Sequence, residues 1–540
     1  MTDTVIPDTT TERERFTRAA GVVAFFTFLS RILGLIRDMV VAGFFGSGMA
    51  ADAFFVAFRI PNLLRRLFAE GSLTIAFIPI FTEYLHQKGR ENAFQMARVV
   101  LTALSILLAV VTLLGILFSP WIVRIQAFGF GGEGSKYDLT VLLTRITFPY
   151  IFLISIVAFC MGVLNSLRHF AAPAAAPIFL NIGIILSTLI LSPHLSQPIV
   201  AVAIGVIFGG ILQVGLQIPW LVKRGLSLRP CWMPEHPAIR RIGMLMLPAL
   251  FGSAIYQFNQ FIGTLLASFL PEGSISWLYY ADRLVQFPLG VFAIAISTAA
   301  LPSLSKQVAE KDLSEFKGTL EHALRLVFFI TIPAVFGLVI LGKVIVRLFF
   351  ERGVFDAFST VNTYKALIFY SFGLSAFSGI RVVVSAFYSL QDTVTPVKIA
   401  AVALALNVGF SLLLIGPMAH GGLALALTLA STAQFLLLVF FLKKRIDGWD
   451  LRPILISVGK YLFSATIMGL VIHYLYAKWD TPSPCSGTLD LTLNIAGLLF
   501  IGAFVYFMVT RVLGCRELTS FLSVFRPLLK RKKSFEKHLD

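Results

Sequence analysis

The chain has 540 residues, 57% hydrophobic and only 14% charged, with a formal net charge of +17 and a mean hydropathy of +0.84. That balance excludes an ordinary water-soluble domain, whose surface needs more charge than this. The apolar residues form long continuous runs, which excludes a β-barrel with its alternating pattern and points to membrane-spanning helices.

A polar tail, 1–18, comes first and is too mixed in charge for a cleavable leader. Fourteen spans follow, with approximate cores at 19–45, 52–84, 94–118, 139–164, 174–192, 199–221, 241–270, 276–301, 319–341, 364–388, 396–417, 419–442, 454–476 and 491–513. The first carries Arg31, Arg37 and Asp38 in its middle. The second carries Asp52, Arg59, Arg65, Arg66 and Glu70, and the eighth Asp282 and Arg283. Pro61, Pro79, Pro149, Pro288, Pro302 and Pro333 fall inside spans, where proline removes a helical donor and favours a kink. A basic tail, 514–540, closes the chain with Arg526, Lys530, Arg531, Lys532 and Lys533, a suitable anchor on anionic lipid.

The excess positive charge is a topological signal and not a sign of nucleic-acid binding. Lys and Arg gather in alternate connections, such as Lys88 and Arg90, Arg168, Lys223 to Arg229, Lys306 to Lys317, and Lys443 to Arg452. Of the intervening connections, 46–51, 193–198, 271–275 and 418–420 contain neither residue, and only the two longer ones, 119–138 and 342–363, hold several. This positive-inside pattern predicts that both termini are cytoplasmic.

The chain also repeats itself at an offset of 223 residues. Pro79 aligns with Pro302, Ile122, Val123 and Arg124 with Ile345, Val346 and Arg347, Ser155 with Ser378, Ser166 and Leu167 with Ser389 and Leu390, and Pro173 with Pro396. The fold class expected is therefore an all-α polytopic membrane protein of fourteen transmembrane helices. Two parallel, pseudo-repeated six-helix lobes, 19–222 and 241–442, would be followed by two extra C-terminal helices in 454–513. Such duplications serve alternating access, with a substrate site near the bilayer midplane between the lobes.

A charge at bilayer depth costs at least ~2.5 kcal/mol, so charged residues there usually face a wet cavity. Arginine outnumbers acid in these spans, so the cavity is expected to attract an anion. Guanidinium stays charged on desolvation and grips phosphate through two parallel hydrogen bonds, which favours a phosphate- or pyrophosphate-bearing ligand. Arg31 and Asp38 share a helix face, with Arg37 about 120° away at 100° per residue. Asp38 is expected to neutralise one of these arginines while the other reaches the cavity, and Arg66 and Glu70 are spaced to pair. Arg66, Arg124, Arg347 and Arg511 read as interfacial, snorkelling residues. Catalytic signatures are missing from the sequence. The stretch from Gly337 to Lys343 spells most of a phosphate-binding loop, but Val344 stands where a hydroxyl must hold magnesium. Cys160, Cys231, Cys485 and Cys515 have neither metal-ligand nor disulfide spacing, and Cys160 reads as a small packing residue.

These residues carry a family resemblance. Ser30, Arg31, Gly34, Arg37 and Asp38, then Ala51 and Asp52, then Pro61, Asn62, Arg65, Arg66, Glu70 and Gly71, resemble the MurJ (MviN) family of lipid II flippases. Tyr279, Tyr280, Asp282 and Arg283, Leu301, Pro302 and Ser305, and Tyr388, Asp392, Pro396 and Lys398 fit as well, and the likeness covers about residues 16–515. The resemblance implies a fold of the multidrug/oligosaccharidyl-lipid/polysaccharide exporter superfamily. It implies a multi-pass protein of the bacterial cytoplasmic (inner) membrane that moves lipid II, an undecaprenyl-pyrophosphate-linked disaccharide peptide, from the inner to the outer leaflet for peptidoglycan synthesis. By the same resemblance Arg31, Arg37, Arg65 and Arg283 bind the substrate. Asp38, Asp52, Arg59, Glu70 and Asp282 supply supporting charge, and the last two helices form a groove for the lipid tail. No cofactor is implied; the drive is membrane potential or a cation gradient. Asn407 and Thr428 offer oxygens of the kind sodium takes, but Ser411 adds no carboxylate and no sodium site is assigned. Partners implied are membrane lipids and enzymes of peptidoglycan synthesis. Two departures stand out: Gln286 where relatives often carry Glu, and Arg59 where some carry Lys. The alternatives are an exporter of another polyprenyl-pyrophosphate-linked oligosaccharide and a non-transporting scaffold for cell-wall enzymes; the duplication counts against the scaffold.

Overall fold

In lipid, every backbone N–H and C=O must find its partner within the protein, and a helix provides this within a single segment. The computed structural model describes residues 9–65, 73–478 and 488–519, and among them the regular structure is helical. Arg66, Glu70, Cys485 and the basic run from Arg526 lie outside the described residues. Ten helices among the described residues are long and apolar enough to cross a membrane, so the protein is an all-α polytopic membrane protein.

The chain divides into two compact units. Unit 1 comprises Met1–Ser276 with Arg352–Phe355, and unit 2 comprises Trp277–Glu351 with Asp356–Asp540. Unit 1 contains α1 (Thr9–Phe45), α2 (Met49–Leu64), α3 (Leu73–Gln87), α4 (Gly89–Leu117), α5 (Ser119–Gln126), α6 (Ser135–Thr147), α7 (Tyr150–Ser166), α8 (Ala171–Leu191), α9 (Val200–Lys223) and α10 (Pro237–Ala267). Within it α1 packs on α8, α2 on α6, and α10 on α3. Helices α8 and α9 approach closely: a Cβ on Gly183 would stand 2.5 Å from the Gly209 Cα. Small residues four apart, Gly205 and Gly209, allow this backbone contact, the usual device of helix pairs that lack a hydrophobic driving force in lipid.

Helix α11 (Ser274–Pro288) begins at the end of unit 1 and continues into unit 2. A π-helical turn, Leu289–Ala293, follows Pro288, and then come α12 (Ile294–Ala309), α13 (Leu313–Phe350), α14 (Ala357–Ser389), α15 (Val394–Arg445), α16 (Arg452–Lys478) and α17 (Thr488–Val512). Two of the expected prolines thus sit at breaks: Pro149 separates α6 from α7, and Pro288 precedes the π turn. The Gly337 to Lys343 stretch lies inside α13 as continuous helix and forms no loop.

Start signals are local. Asp312 and Asp356 cap α13 and α14 by accepting from the N–H of Glu315 (2.9 Å) and of Ser359 (2.8 Å). Stop signals recur at the repeat offset. Arg168 and Gln391, 223 apart, both adopt φ 59° after α7 and α14. The N–H of His169 reaches the Leu164 carbonyl at 2.8 Å, and that of Asp392 reaches Phe387 at 2.9 Å, the closing bond of a left-handed helix cap in each case.

Helix α15 is 52 residues long but contains one non-helical residue, Ala419 (φ 48°, ψ −129°). An L-residue with a Cβ is strained there, whereas glycine is not. Ala419→Gly is expected to raise stability by roughly 1 kcal/mol, read as a higher midpoint of thermal unfolding in detergent. Before α15, the Asp392 carboxylate accepts from the N–H of Thr395 (3.0 Å) and of Val394 (3.2 Å) and from the Thr395 hydroxyl (2.8 Å), with Arg445 at 3.4 Å. These donors, the Thr395 N–H foremost, hold its carboxyl below the usual aspartate range against the opposing effect of burial. The stabilisation is full at neutral pH and is lost as pH falls through the depressed value. The stability gap between wild type and Asp392→Ala should therefore shrink once pH drops below about 3.9, the ordinary aspartate value.

Candidate functional site

The charges on α1 are held by a small polar network. Arg37 donates to the Asp38 Oδ1 through Nε (3.0 Å) and Nη2 (2.7 Å), and to the Asn181 Oδ1 on α8 through Nη1 (3.1 Å). Asn181 in turn donates through Nδ2 to the Ser30 carbonyl at 3.1 Å. All three side chains are buried. Asp38 thus takes its immediate neighbour: the two Cα–Cβ bonds diverge around the helix, but the flexible arginine stem bends back to the carboxylate. The Asn181 amide then fixes the outward edge of the guanidinium. Arg31, six residues earlier on α1, is half-buried.

Asp52 has a different role. It lies in the first turn of α2 and is 1% exposed. Its Oδ2 accepts from the Lys136 Nζ and the Gly273 N–H, both at 2.9 Å. Its Oδ1 accepts from the Ser276 N–H (3.0 Å) and hydroxyl (2.7 Å). Four donors therefore converge on one carboxylate, two of them N–H groups at the start of α11 that no helical carbonyl can reach. Asp52 is a cap supplied from another helix, and it anchors the beginning of the element that carries Asp282 and Arg283.

Arg59 on α2 is tied to α10 through Nε to the Thr264 hydroxyl (2.8 Å) and Nη1 to the Gln260 Oε1 (3.2 Å). Arg65 follows the last turn of α2, with Nε on the Asn62 Oδ1 at 3.1 Å. In unit 2, Tyr279, Asp282, Arg283 and Gln286 recur at helical spacing on one face of α11, all half-buried. The Arg283 Nη2 donates to the Tyr279 hydroxyl at 3.0 Å and its guanidinium lies 5.4 Å from that ring. The Gln286 Nε2 donates to the Asp282 Oδ1 at 3.3 Å. An aromatic face beside a guanidinium limits its rotation.

Asn407 and Thr428 are both buried on α15, and the Thr428 hydroxyl donates to the Phe369 carbonyl at 2.7 Å, tying α15 to α14. Among the described residues no cluster of His, Cys, Asp and Glu has metal-binding geometry. Sequence reasoning missed the uncharged partners Asn181, Gln260, Thr264 and Ser276. Their signal was present, because an amide or hydroxyl inside an apolar span also demands a partner, though at lower stakes than a charge.

A polytopic helical scaffold with arginines held on half-buried faces is the hardware of a membrane transporter. The fold resembles that of an inward-facing multidrug resistance MATE family transporter of the MOP superfamily, with a TM-score of 0.67 over 79% of this chain and 98% of that one at 15% identity. The chain belongs to the MurJ family: the family model described as lipid II flippase MurJ matches residues 41–486. It is 38% identical over 523 residues to the probable lipid II flippase MurJ of Vibrio cholerae, covering 94% of this chain and 98% of that protein. It is 36% identical over 506 residues to the lipid II flippase MurJ of Burkholderia cenocepacia, covering 92% and 97%. A solved structure of lipid II flippase MurJ in an inward closed conformation matches with a TM-score of 0.77 and 28% identity over 94% of this chain and 99% of that chain.

Asp52→Ala should destabilise the protein by about 3–5 kcal/mol, the usual effect of breaking a buried ion pair by removing one partner. The check is chemical or thermal unfolding of the purified protein, with Asp138→Ala, an exposed acid in the same unit, as the control.

Proposed function

We propose that the protein is a lipid flippase that carries lipid II from the inner to the outer leaflet of the bacterial cytoplasmic membrane by alternating access. It is a transporter and not an enzyme. The single observation that carries this reading is the Arg37, Asp38 and Asn181 network inside an apolar helix pair, on a chain of the MurJ family. A guanidinium that needed only to be neutralised would be satisfied by the carboxylate. Here a carboxylate and an amide together fix its plane, which is the preorganisation that two-point recognition of a phosphate group requires.

Arg31, Arg37 and Arg65 of the first lobe and Arg283 of the second engage the pyrophosphate and sugar region. Asp38, Asp52, Arg59, Glu70 and Asp282 set the charge balance around them. A doubly anionic head group cannot enter hydrocarbon unaccompanied, and arginine supplies the compensating charge without a proton to lose. Fourteen crossings are proposed, with both termini cytoplasmic. A continuous 52-residue helix would be about 78 Å long at 1.5 Å per residue, far beyond the ~30 Å hydrocarbon core. The break at Ala419 therefore supports reading α15 as two crossings. The duplicated six-helix lobes are supported by the matching left-handed caps at Arg168 and Gln391. The α16–α17 hairpin, outside the repeat, takes the polyprenyl tail. Transport draws on membrane potential or a cation gradient, and enzymes of peptidoglycan synthesis are the proposed partners.

In proteoliposomes with labelled lipid II, wild type should expose the label to the opposite leaflet. Loss of a hydrogen bond to a charged group is worth roughly 1.5–3 kcal/mol, so Arg31→Ala with Arg283→Ala should slow transport by at least tenfold. Wild-type transport in the double variant would reject the assignment of these arginines; no movement of lipid II by wild type would reject the flippase reading itself.

A further inference from the structure

Unit 2 contains a buried charge cluster that the transport reading does not use. After α17, Gly514 (φ +67°) turns the chain back on itself. Cys515 and Leu518 then join the buried apolar cluster that includes Phe316, Leu320, Leu324 and Tyr461. Between them Glu517 is carried to 2% exposure and meets the Arg325 Nη2 of α13 at 2.5 Å. Arg325 is forked, because its Nη1 also donates to the Glu321 Oε1 at 3.0 Å. On the α16 side, the Lys460 Nζ donates to the Leu513 carbonyl at 2.8 Å. Tyr461, fully buried on α16, stands beside Glu517 and Arg325. The Glu517 Oε2, the Arg325 Nε and the Tyr461 hydroxyl are buried close together, but none of them makes a well-aligned hydrogen bond.

This is a poor arrangement for adding stability. A buried ion pair with polar atoms left over is commonly matched or exceeded by apolar side chains of the same volume. Its advantage is positional, since a forked guanidinium accepts its carboxylates in few geometries, whereas an apolar contact tolerates sliding. The pair also lies where position matters, at the one point where the segment after α17 is tied by charge to α13, among the described residues.

We propose that Arg325 and Glu517 form a register latch. By docking residues 513–519 against α13 and α16, the latch holds the α16–α17 hairpin at a fixed height and rotation on unit 2. Arg325 and Glu517 are thus positioning residues, acting on the lipid tail through the hairpin. The tail-binding part rests on the flippase reading above; the docking itself does not.

Two measurements test it on the full-length protein. Hydrogen exchange reads the docking without any substrate. In Glu517→Gln, amide exchange across 513–519 should rise about tenfold, as expected when a local closed state loses one charge-assisted contact, and unchanged exchange would overturn the latch. Transport reads the positioning. The apolar replacement Arg325→Met with Glu517→Leu keeps the volume buried and is expected to retain the wild-type unfolding temperature or exceed it. It should move lipid II bearing an undecaprenyl tail about tenfold more slowly, within the range usual for coupling between sites. It should move a lipid II analogue with a short farnesyl tail at the wild-type rate, because that tail does not depend on the hairpin. Equal slowing of both lipids, or slowing of neither, would overturn the positioning role. Failure of wild type to move either lipid would reject the flippase reading, and the exchange experiment would still decide the docking.

Discussion

A charge inside lipid must have a partner, and this constraint organises the structure around its few ionisable side chains. Three solutions are visible. Arg37 is neutralised by an adjacent carboxylate and oriented by an amide from another helix. Asp52 is surrounded by an ammonium, a hydroxyl and two backbone N–H groups. Arg325 bridges two glutamates. In each case the partners come from different helices or from a returning loop, so satisfying the charge also joins elements that an apolar surface would leave free to slide.

The same principle explains why the charged residues differ in kind although they look alike in sequence. Asp38 and Asp52 are both acids near arginines in the first two spans. Asp38 serves a guanidinium. Asp52 instead takes the Lys136 ammonium and caps the start of α11, the helix that bears Arg283 further along. Replacing either removes a charge, but one change alters how an arginine is presented and the other loosens a helix start. Likewise Arg59 reaches the uncharged Thr264 and Gln260, so its guanidinium also joins α2 to α10.

Much of the fold was legible in the chain. The apolar runs had to become helices because no other open structure satisfies its backbone in hydrocarbon. Arg31, Arg37, Arg65 and Arg283 stood out because charge at such depth is rare. What could not be read was pairing. Helical spacing aligned Arg31 with Asp38, but the arginine stem is long enough for Arg37 to reach the same carboxylate. Asn181, 144 residues away from Arg37, completes the group, and no local pattern links the two. Prolines and an arginine-bearing tripeptide recur in the sequence at an offset of 223 residues, and the left-handed caps at Arg168 and Gln391 stand at the same offset on dissimilar residues. Backbone conformation at a helix end is set by the surrounding turn and can outlast the side chain that first favoured it.

By itself, the sequence determined that the protein is helical and membrane-embedded, and which side chains carry unusual cost. Both follow from transfer energies that belong to each residue and hardly depend on its neighbours. Tertiary structure alone decided which donor meets which acceptor, that Asp52 is a cap, that Ala419 takes the break in α15, and that Glu517 returns to α13 after the last crossing. Those outcomes depend on distances between segments far apart in the chain, which are set only when helices pack and each buried charge takes the partner within reach.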